Sequence, residues 1–348
     1  MTLKESLLWL GAGVASSVGL PRFLHSHLFR NQLSILTYHA VVREPLQVPD
    51  WCFLDEQRFR KQIEYVKRHF QVVPISQAVA MLTAGSIANR TVAITFDDGY
   101  QNNYEVAFPI LAKYECPATI FLSTKYINSN ELPWFCKLNL ALTLSRKRSL
   151  SWGGTDFNIS TSAQKAKASL ALHKSFKRHH PYAIDGLVAD ICRTLEVDAE
   201  PKFSFGSPYH MLRTDAIQAM IGSGLITFGA HTHSHSILSQ LLPGEQQDEI
   251  LGSLRSVEQL TGEVCRFFAY PNGSPNDYDR TSIAVLESSS IQAAVSTIAG
   301  PNIGNTPLFE LRRYGVGSDL NFSSFQSMVH HLTYRMKQLS SRPRPAHA

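Results

Sequence analysis

The chain has 348 residues, 44% of them hydrophobic and 18% charged, with a formal net charge of +5. That is enough apolar material for one large core or two smaller ones, and it excludes a disordered or disulfide-stapled chain. No run of lysine and arginine is interleaved with aromatics, so nucleic acid is not expected as a partner. The five cysteines, Cys52, Cys116, Cys136, Cys192 and Cys265, are odd in number, widely spaced and form no CxxC. Buried free thiols in a reducing compartment fit best, and point to a cytoplasmic or membrane-associated protein over a secreted one.

From the N-terminus, Leu7 to Leu20 is apolar, yet it is broken by Gly11, Gly13 and Gly19. It falls short of the roughly 20 residues needed to span a bilayer. Leu7, Leu10, Val14 and Val18 fall at helical spacing, which predicts an amphipathic helix over 1–30. Packing on the domain is the plain reading, peripheral membrane contact the second and a cleaved signal the third. Leu33–Tyr38 is a buried strand ending at His39. A helix face follows at Phe59, Ile63 and Val66, then a short strand at 71–73 and a brief helix capped by Ser76. Val92–Phe96 is a strand, followed by a helix that Pro109 should kink, and Ala118–Leu122 is another strand. Later, helix faces occur at Ile217/Met220 and Ile250/Leu254/Val257, with strands at 267–270, 293–297 and 311–316. Residues 124–210 interrupt this alternation with a helix opened by Trp134, a hairpin at 151–154 and a basic helix from Lys165 to His180. They read as a helical insertion on the catalytic face of one domain spanning 31–335, followed by a basic flexible tail over 336–348.

Strand and helix in alternation imply an α/β fold with a parallel sheet, open or closed, whose functional residues gather at the carboxyl ends of the strands. His39, Asp97, Asp98, His231 and the Pro271-Asn272-Gly273 turn all sit at such ends. His231 and His235 are four apart, a spacing that brings two imidazoles to one side, whereas His233 should point elsewhere. Of the two adjacent carboxylates, Asp98 suits a cation ligand, and Asp97 would remain ionised beside it and take a proton from water. Alone, Asp97-Asp98-Gly99 would not outweigh an ordinary Asp-Gly turn.

Four segments carry a family resemblance: Ala93-Ile94-Thr95-Phe96-Asp97-Asp98-Gly99-Tyr100, Pro117–Phe121, Gly229–His235 and Phe268–Gly273. Together they resemble the polysaccharide deacetylases, carbohydrate esterase family 4 or NodB homology domain. The likeness extends from about Ile35 to Val316, apart from the insertion. It implies a distorted (β/α)7-type barrel that hydrolyses acetyl groups on N-acetylated glycans, with a divalent metal, most simply Zn2+. It further implies Asp97 as general base, Asp98, His231 and His235 as metal ligands, and Tyr270, Pro271, Asn272 and Gly273 as the substrate or oxyanion turn. Two departures stand out. Ala269 occupies the place where the family often carries a base-orienting arginine, a role Arg266 or Arg312 would have to fill. The family's C-terminal Leu-x-His is missing after Gly273, and His330 and His331 do not follow a strand. A circularly permuted arrangement would put His39 in its place, as the general acid. A non-catalytic carbohydrate-binding relative and a hydrolase of small amides or cyclic imides are the competing readings.

Overall fold

The computed structural model describes residues 30–198 and 206–341. The expected N-terminal helix over 1–30 and the end of the expected tail, 342–348, therefore lie outside the described residues, and Leu332–Ser341 is helical. Seven parallel strands form the frame: β1 (Leu33–Tyr38), β2 (Thr91–Phe96), β3 (Ala118–Leu122), β4 (Ile226–Ala230), β5 (Phe267–Ala269), β6 (Ala293–Val295) and β7 (Tyr314–Gly315). Their order is β6-β5-β4-β3-β2-β1-β7, and Gln71–Val72 pairs with the start of β2. One segment closes the ring. Leu311 bridges Val295 in parallel, and three residues beyond it the chain has moved across so that Tyr314 and Gly315 pair with Leu36 and Thr37 of β1. The result is a distorted seven-stranded barrel.

Every residue of β1, β2 and β3 is buried, as expected where helices cover the outside and side chains fill the inside. Leu33 and Ile35 of β1, Ala93 of β2, Phe121 of β3 and Val295 of β6 share one apolar cluster with Ile75, Ala78, Val79 and Leu82 of the helix Ile75–Thr83. That helix has Pro74 at its N-cap with no side-chain cap, so the expected Ser76 cap is not used. Opposite side chains, Leu36, Val92, Ile94 and Ile120, pack outward on helices such as α1 (Glu56–His69), which Asp55 caps through Arg58 N–H. The kink expected at Pro109 takes the form of a π turn over Asn103–Ala107, leading into the helix Phe108–Lys113. Pro109 then sits in the first helical turn, where its missing N–H costs no hydrogen bond.

Between β3 and β4, helices α2 (Trp134–Leu144), α3 (Ser162–Phe176) and α4 (Ile184–Thr194) enclose a separate apolar cluster with the hairpin Ser149–Trp152/Thr155–Asn158. Gly153 and Gly154, at φ 56° and 75°, supply the two left-handed positions of its tight turn. Beyond β4, α5 (Pro243–Thr261) ends at Gly262, and α6 (Arg280–Glu287) is capped by Asp279. All five cysteines are free, four of them buried. No helix among the described residues is long and apolar enough to cross a membrane.

Candidate active site

Alternation along a strand decides which side chains enter the barrel. Thr37, Thr95 and Asp97 lie two residues apart on the inward faces of β1 and β2, above the apolar layer, and the guanidinium of Arg313 lies among them. Its Nη1 donates to Asp97 Oδ1 at 2.6 Å and Nη2 to Oδ2 at 2.7 Å. Further donors reach Thr37 Oγ1 at 2.8 Å, Thr95 Oγ1 at 3.3 Å and, from Nε, the Ser296 carbonyl at 2.9 Å. Arg313 is wholly buried and Asp97 is 2% exposed. Burial pushes the Asp97 carboxyl up, but the Arg313 charge and its two-pronged contact outweigh it and hold the group below the usual carboxylate range.

Asp98 turns the other way. It adopts φ 73°, and Gly99 follows at φ 85°, where a Cβ would come within 2.7 Å of Leu122 Cδ2. The carboxylate therefore leaves the strand toward the loop after β4. There Asp98 Oδ1 lies 3.6 Å from His231 Nε2 and 3.3 Å from His235 Nε2. His231 Nδ1 donates to the Ala269 carbonyl at 2.7 Å, so its Nε2 presents a lone pair to Asp98. Burial lowers the His231 pKa to about 4, which keeps that ring neutral at ordinary pH. Asp98 Oδ1 is itself buried with no well-aligned hydrogen bond. An ionised oxygen facing the bare Nε2 of neutral His231 is repulsive unless a cation lies between them. Ligand atoms of Asp98, His231 and His235 all lie within 4.8 Å of one another, and the one-carboxylate, two-imidazole set suits a divalent ion. The residues fit the metal that the motif implies.

The loop is braced from behind. Glu249 on α5 accepts from Ser234 N–H at 2.8 Å and Ser234 Oγ at 2.6 Å. Phe135 of α2 packs edge-on against the His235 ring, with centroids 4.9 Å apart. Thr232 and His235 adopt φ 59° and 58°, costly conformations that this bracing sustains. His233 is exposed and turned to Thr124 Oγ1, away from the triad.

His39 ends β1 at the rim of the same cavity, about 680 Å³ in volume, which Asp97, Asp98, His231 and His235 also line. Its Nδ1 is buried without a hydrogen-bond partner. Of the Tyr270–Gly273 turn, Asn272 lines the cavity at φ 56°. Tyr270 is buried behind it, donating to the Phe309 carbonyl at 2.9 Å and stacked on Tyr278. Pro271 and Gly273 shape the turn: a Cβ on Gly273 would sit 2.8 Å from Thr297 N.

Sequence reasoning misses Arg313. It nominates Arg266 or Arg312 as the partner of the base. Arg312 instead donates to Tyr334 Oη, and Arg313 takes that position on the inward face. The available signal was an arginine inside the otherwise strand-like run Leu311–Val316. Phe135, Glu249, Trp51 and Lys177 also surround the site without a motif to mark them.

The model of the polysaccharide deacetylase family matches residues 84–294. A curated poly-beta-1,6-N-acetyl-D-glucosamine N-deacetylase of Staphylococcus epidermidis is 33% identical over 132 residues, covering 34% of this chain and 43% of the relative, so the chain spans less than half the length of that protein. The Bacillus subtilis protein YxkH is 22% identical over 301 residues, 86% of this chain and 76% of its own. Among solved structures, the Streptococcus pyogenes deacetylase PplD in complex with acetate shares the fold at TM-score 0.57 and 18% identity, over 86% of this chain and 99% of that one. With its barrel, its motif residues and the family match over most of its length, the chain belongs to the polysaccharide deacetylase family.

Proposed function

We propose that this chain is a metal-dependent hydrolase that removes acetyl groups from N-acetylated sugars of a glycan. The observation that carries this reading is the juxtaposition, in one cavity, of the Asp98/His231/His235 triad with the arginine-clamped carboxylate of Asp97. A bound divalent ion, most simply Zn2+, would polarise the acetyl carbonyl and make water a stronger acid. Asp98, His231 and His235 would hold it, with His231 fixed in the required tautomer by Ala269. Asp97 accepts the proton of the attacking water, and the Arg313 fork keeps that carboxylate ionised and aimed. The backbone N–H of Asn272, a residue of the cavity wall, would steady the oxyanion that develops on the acetyl carbonyl. His39, at the rim of the cavity, donates the proton that lets the amine leave. The relative that acts on poly-N-acetylglucosamine supports a sugar amide as the bond cleaved.

The test is acetate release from N-acetylglucosamine oligomers by the zinc-loaded protein. Chelation should abolish it, and Asp98→Ala should lose stoichiometric zinc. Retained zinc in that variant overturns the triad, and zinc-loaded protein that releases no acetate overturns the reaction. His39→Ala should lower turnover by about 10²-fold or more, the contribution of a general acid. Turnover within a few-fold of the parent removes His39 from the mechanism.

A further inference from the structure

Two of the eight large apolar side chains exposed among the described residues line the candidate active site: Trp51, 46% exposed, and Tyr182, 56% exposed. They come from unrelated parts of the chain. Trp51 sits on the loop after β1, its indole edge against the His39 ring at 5.2 Å, and its carbonyl accepts from Ser318 N–H just past β7. It therefore stands on the β1–β7 side of the mouth. Tyr182 belongs to the insertion, just before α4, where its ring meets that of His180 at 5.3 Å. His180 Nε2 lies 3.4 Å from Glu245, and Tyr182 feels the charges of Glu245, Asp248 and Glu249, all on α5. Glu249 also holds Ser234. Tyr182 therefore overlooks the histidine loop after β4. In the ring order, β4 and β1 are separated by β3 and β2 on one side and by β5, β6 and β7 on the other. The two aromatic rings therefore come from different elements around the mouth of the cavity that holds the triad.

We propose that Trp51 and Tyr182 are stacking platforms for the two sugars flanking the one whose acetyl group is removed, so that the site takes an internal residue of a glycan chain at least three sugars long. This deepens the deacetylase reading and rests on it for the central sugar. Pyranose rings present an apolar face of C–H bonds and an equatorial rim of hydroxyls. An aromatic ring left half exposed beside polar groups suits that face, and the rim finds partners here too. The ammonium group of Lys177, at the end of α3, lines the cavity with no hydrogen bond or ion pair among the described residues, and Asp277 lines the cavity within reach of its charge. A donor and an acceptor beside two exposed aromatic platforms match a neutral polyhydroxylated chain better than a small amide.

The experiment measures binding by calorimetry to the zinc-loaded Asp97→Asn protein, using N-acetylglucosamine oligomers of one to five sugars in β-1,4 and β-1,6 linkage. In at least one linkage, affinity should climb from one sugar to three and then level off. Tyr182→Ala should remove about three- to tenfold of the three-sugar affinity, the size of one ring-stacking contact, and leave the single sugar unchanged. Tyr182→Phe should keep the increment, because the ring face and not the hydroxyl does the holding. Trp51→Ala should remove a similar increment and, through its contact with His39, also lower kcat when made in the active parent. Equal affinity for one and three sugars, or an equal loss at every length in Tyr182→Ala, overturns the platforms. Length-dependent binding by a parent protein that releases no acetate upholds the platforms and instead sinks the deacetylase reading.

Discussion

Replacing Arg313 by Met tests whether the buried ion pair serves the base or only fills the barrel. The side chains are similar in length, so little cavity forms, but all five hydrogen-bond contacts of the guanidinium disappear. Asp97, 2% exposed, is left with a charge and no partner. Removing one half of such a pair costs about 3–5 kcal/mol, a large share of the roughly 5–15 kcal/mol by which a domain is stable. The carboxyl escapes part of that cost by taking up a proton, since burial alone pushes its pKa up. A protonated Asp97 is no base, so acetate release should fall by about 10²–10⁴-fold, the usual contribution of a positioned proton acceptor. Arg313→Lys keeps the charge but loses the two-pronged geometry, and should fall between Met and the parent. Urea unfolding of the parent, Arg313→Met, Asp97→Asn and the double variant gives the coupling. The double variant should be less damaged than the two singles combined by about 2 kcal/mol or more, because neither partner is stranded. Arg313→Met with stability within about 1 kcal/mol of the parent and turnover within a few-fold would refute the reasoning.

Three further outcomes follow from the packing. Gly229→Ala places a methyl 2.6 Å from the Phe121 ring and 2.7 Å from the Phe267 carbonyl, between two buried strands. It should cost about 1–3 kcal/mol, and an unchanged thermal midpoint would mean the strands give way freely. Phe135→Ala removes the ring that packs on His235 and should weaken zinc binding about tenfold in competition with a chromophoric chelator. Unaltered affinity would mean that the histidine loop is held by Glu249 alone. Asp279→Ala removes the cap of α6, whose carboxylate accepts from Thr281 and Ser282 N–H, and should cost about 1 kcal/mol at pH 7. Burial raises the Asp279 pKa slightly, but the cap hydrogen bonds win and lower it overall. The ionised cap thus stabilises fully above the unfolded-state value near ~3.9 and loses that advantage as pH falls through the lower folded-state value. The gap between parent and variant should narrow from pH 5 to pH 2, and a constant gap would assign the cap no charge.

The motifs were legible because each is local. Strand, carboxylate pair and glycine lie within Ala93–Tyr100, and both triad imidazoles lie within five residues of β4's end. Alternation gave the parallel sheet because β1, β2 and β3 are apolar throughout, as strands buried on both faces must be, whereas its closure into a barrel was implied only by the family resemblance. What stayed hidden is what depends on facing. Arg312 and Arg313 are adjacent, and a one-residue difference in register decides which enters the barrel and which meets Tyr334. That register is set where the closing segment moves from β6 to β1, a non-local event with no sequence marker. Phe135 and Tyr182 were hidden for a related reason. They belong to an insertion whose own core, not any motif, fixes where it leans.

The backbone carries the same division of labour. Asp98, Thr232, His235 and Asn272 all adopt positive φ, between 56° and 73°, and all four line the cavity or belong to the loop that supplies it. For Thr232, a β-branched residue, that conformation is a true outlier. Each strained residue has a firm neighbour: Gly99 packed against Leu122 after Asp98, Glu249 on Ser234 between Thr232 and His235, and Thr297 Oγ1 on the Asn272 carbonyl. The strain turns Asp98 away from Asp97, so that two consecutive carboxylates point into different environments. One meets a permanent cation, Arg313, and the other meets the Nε2 atoms of two imidazoles. A regular strand would send the second aspartate to the outer face. The left-handed turn at Asp98 is therefore what lets a single Asp-Asp pair supply both a base and a ligand.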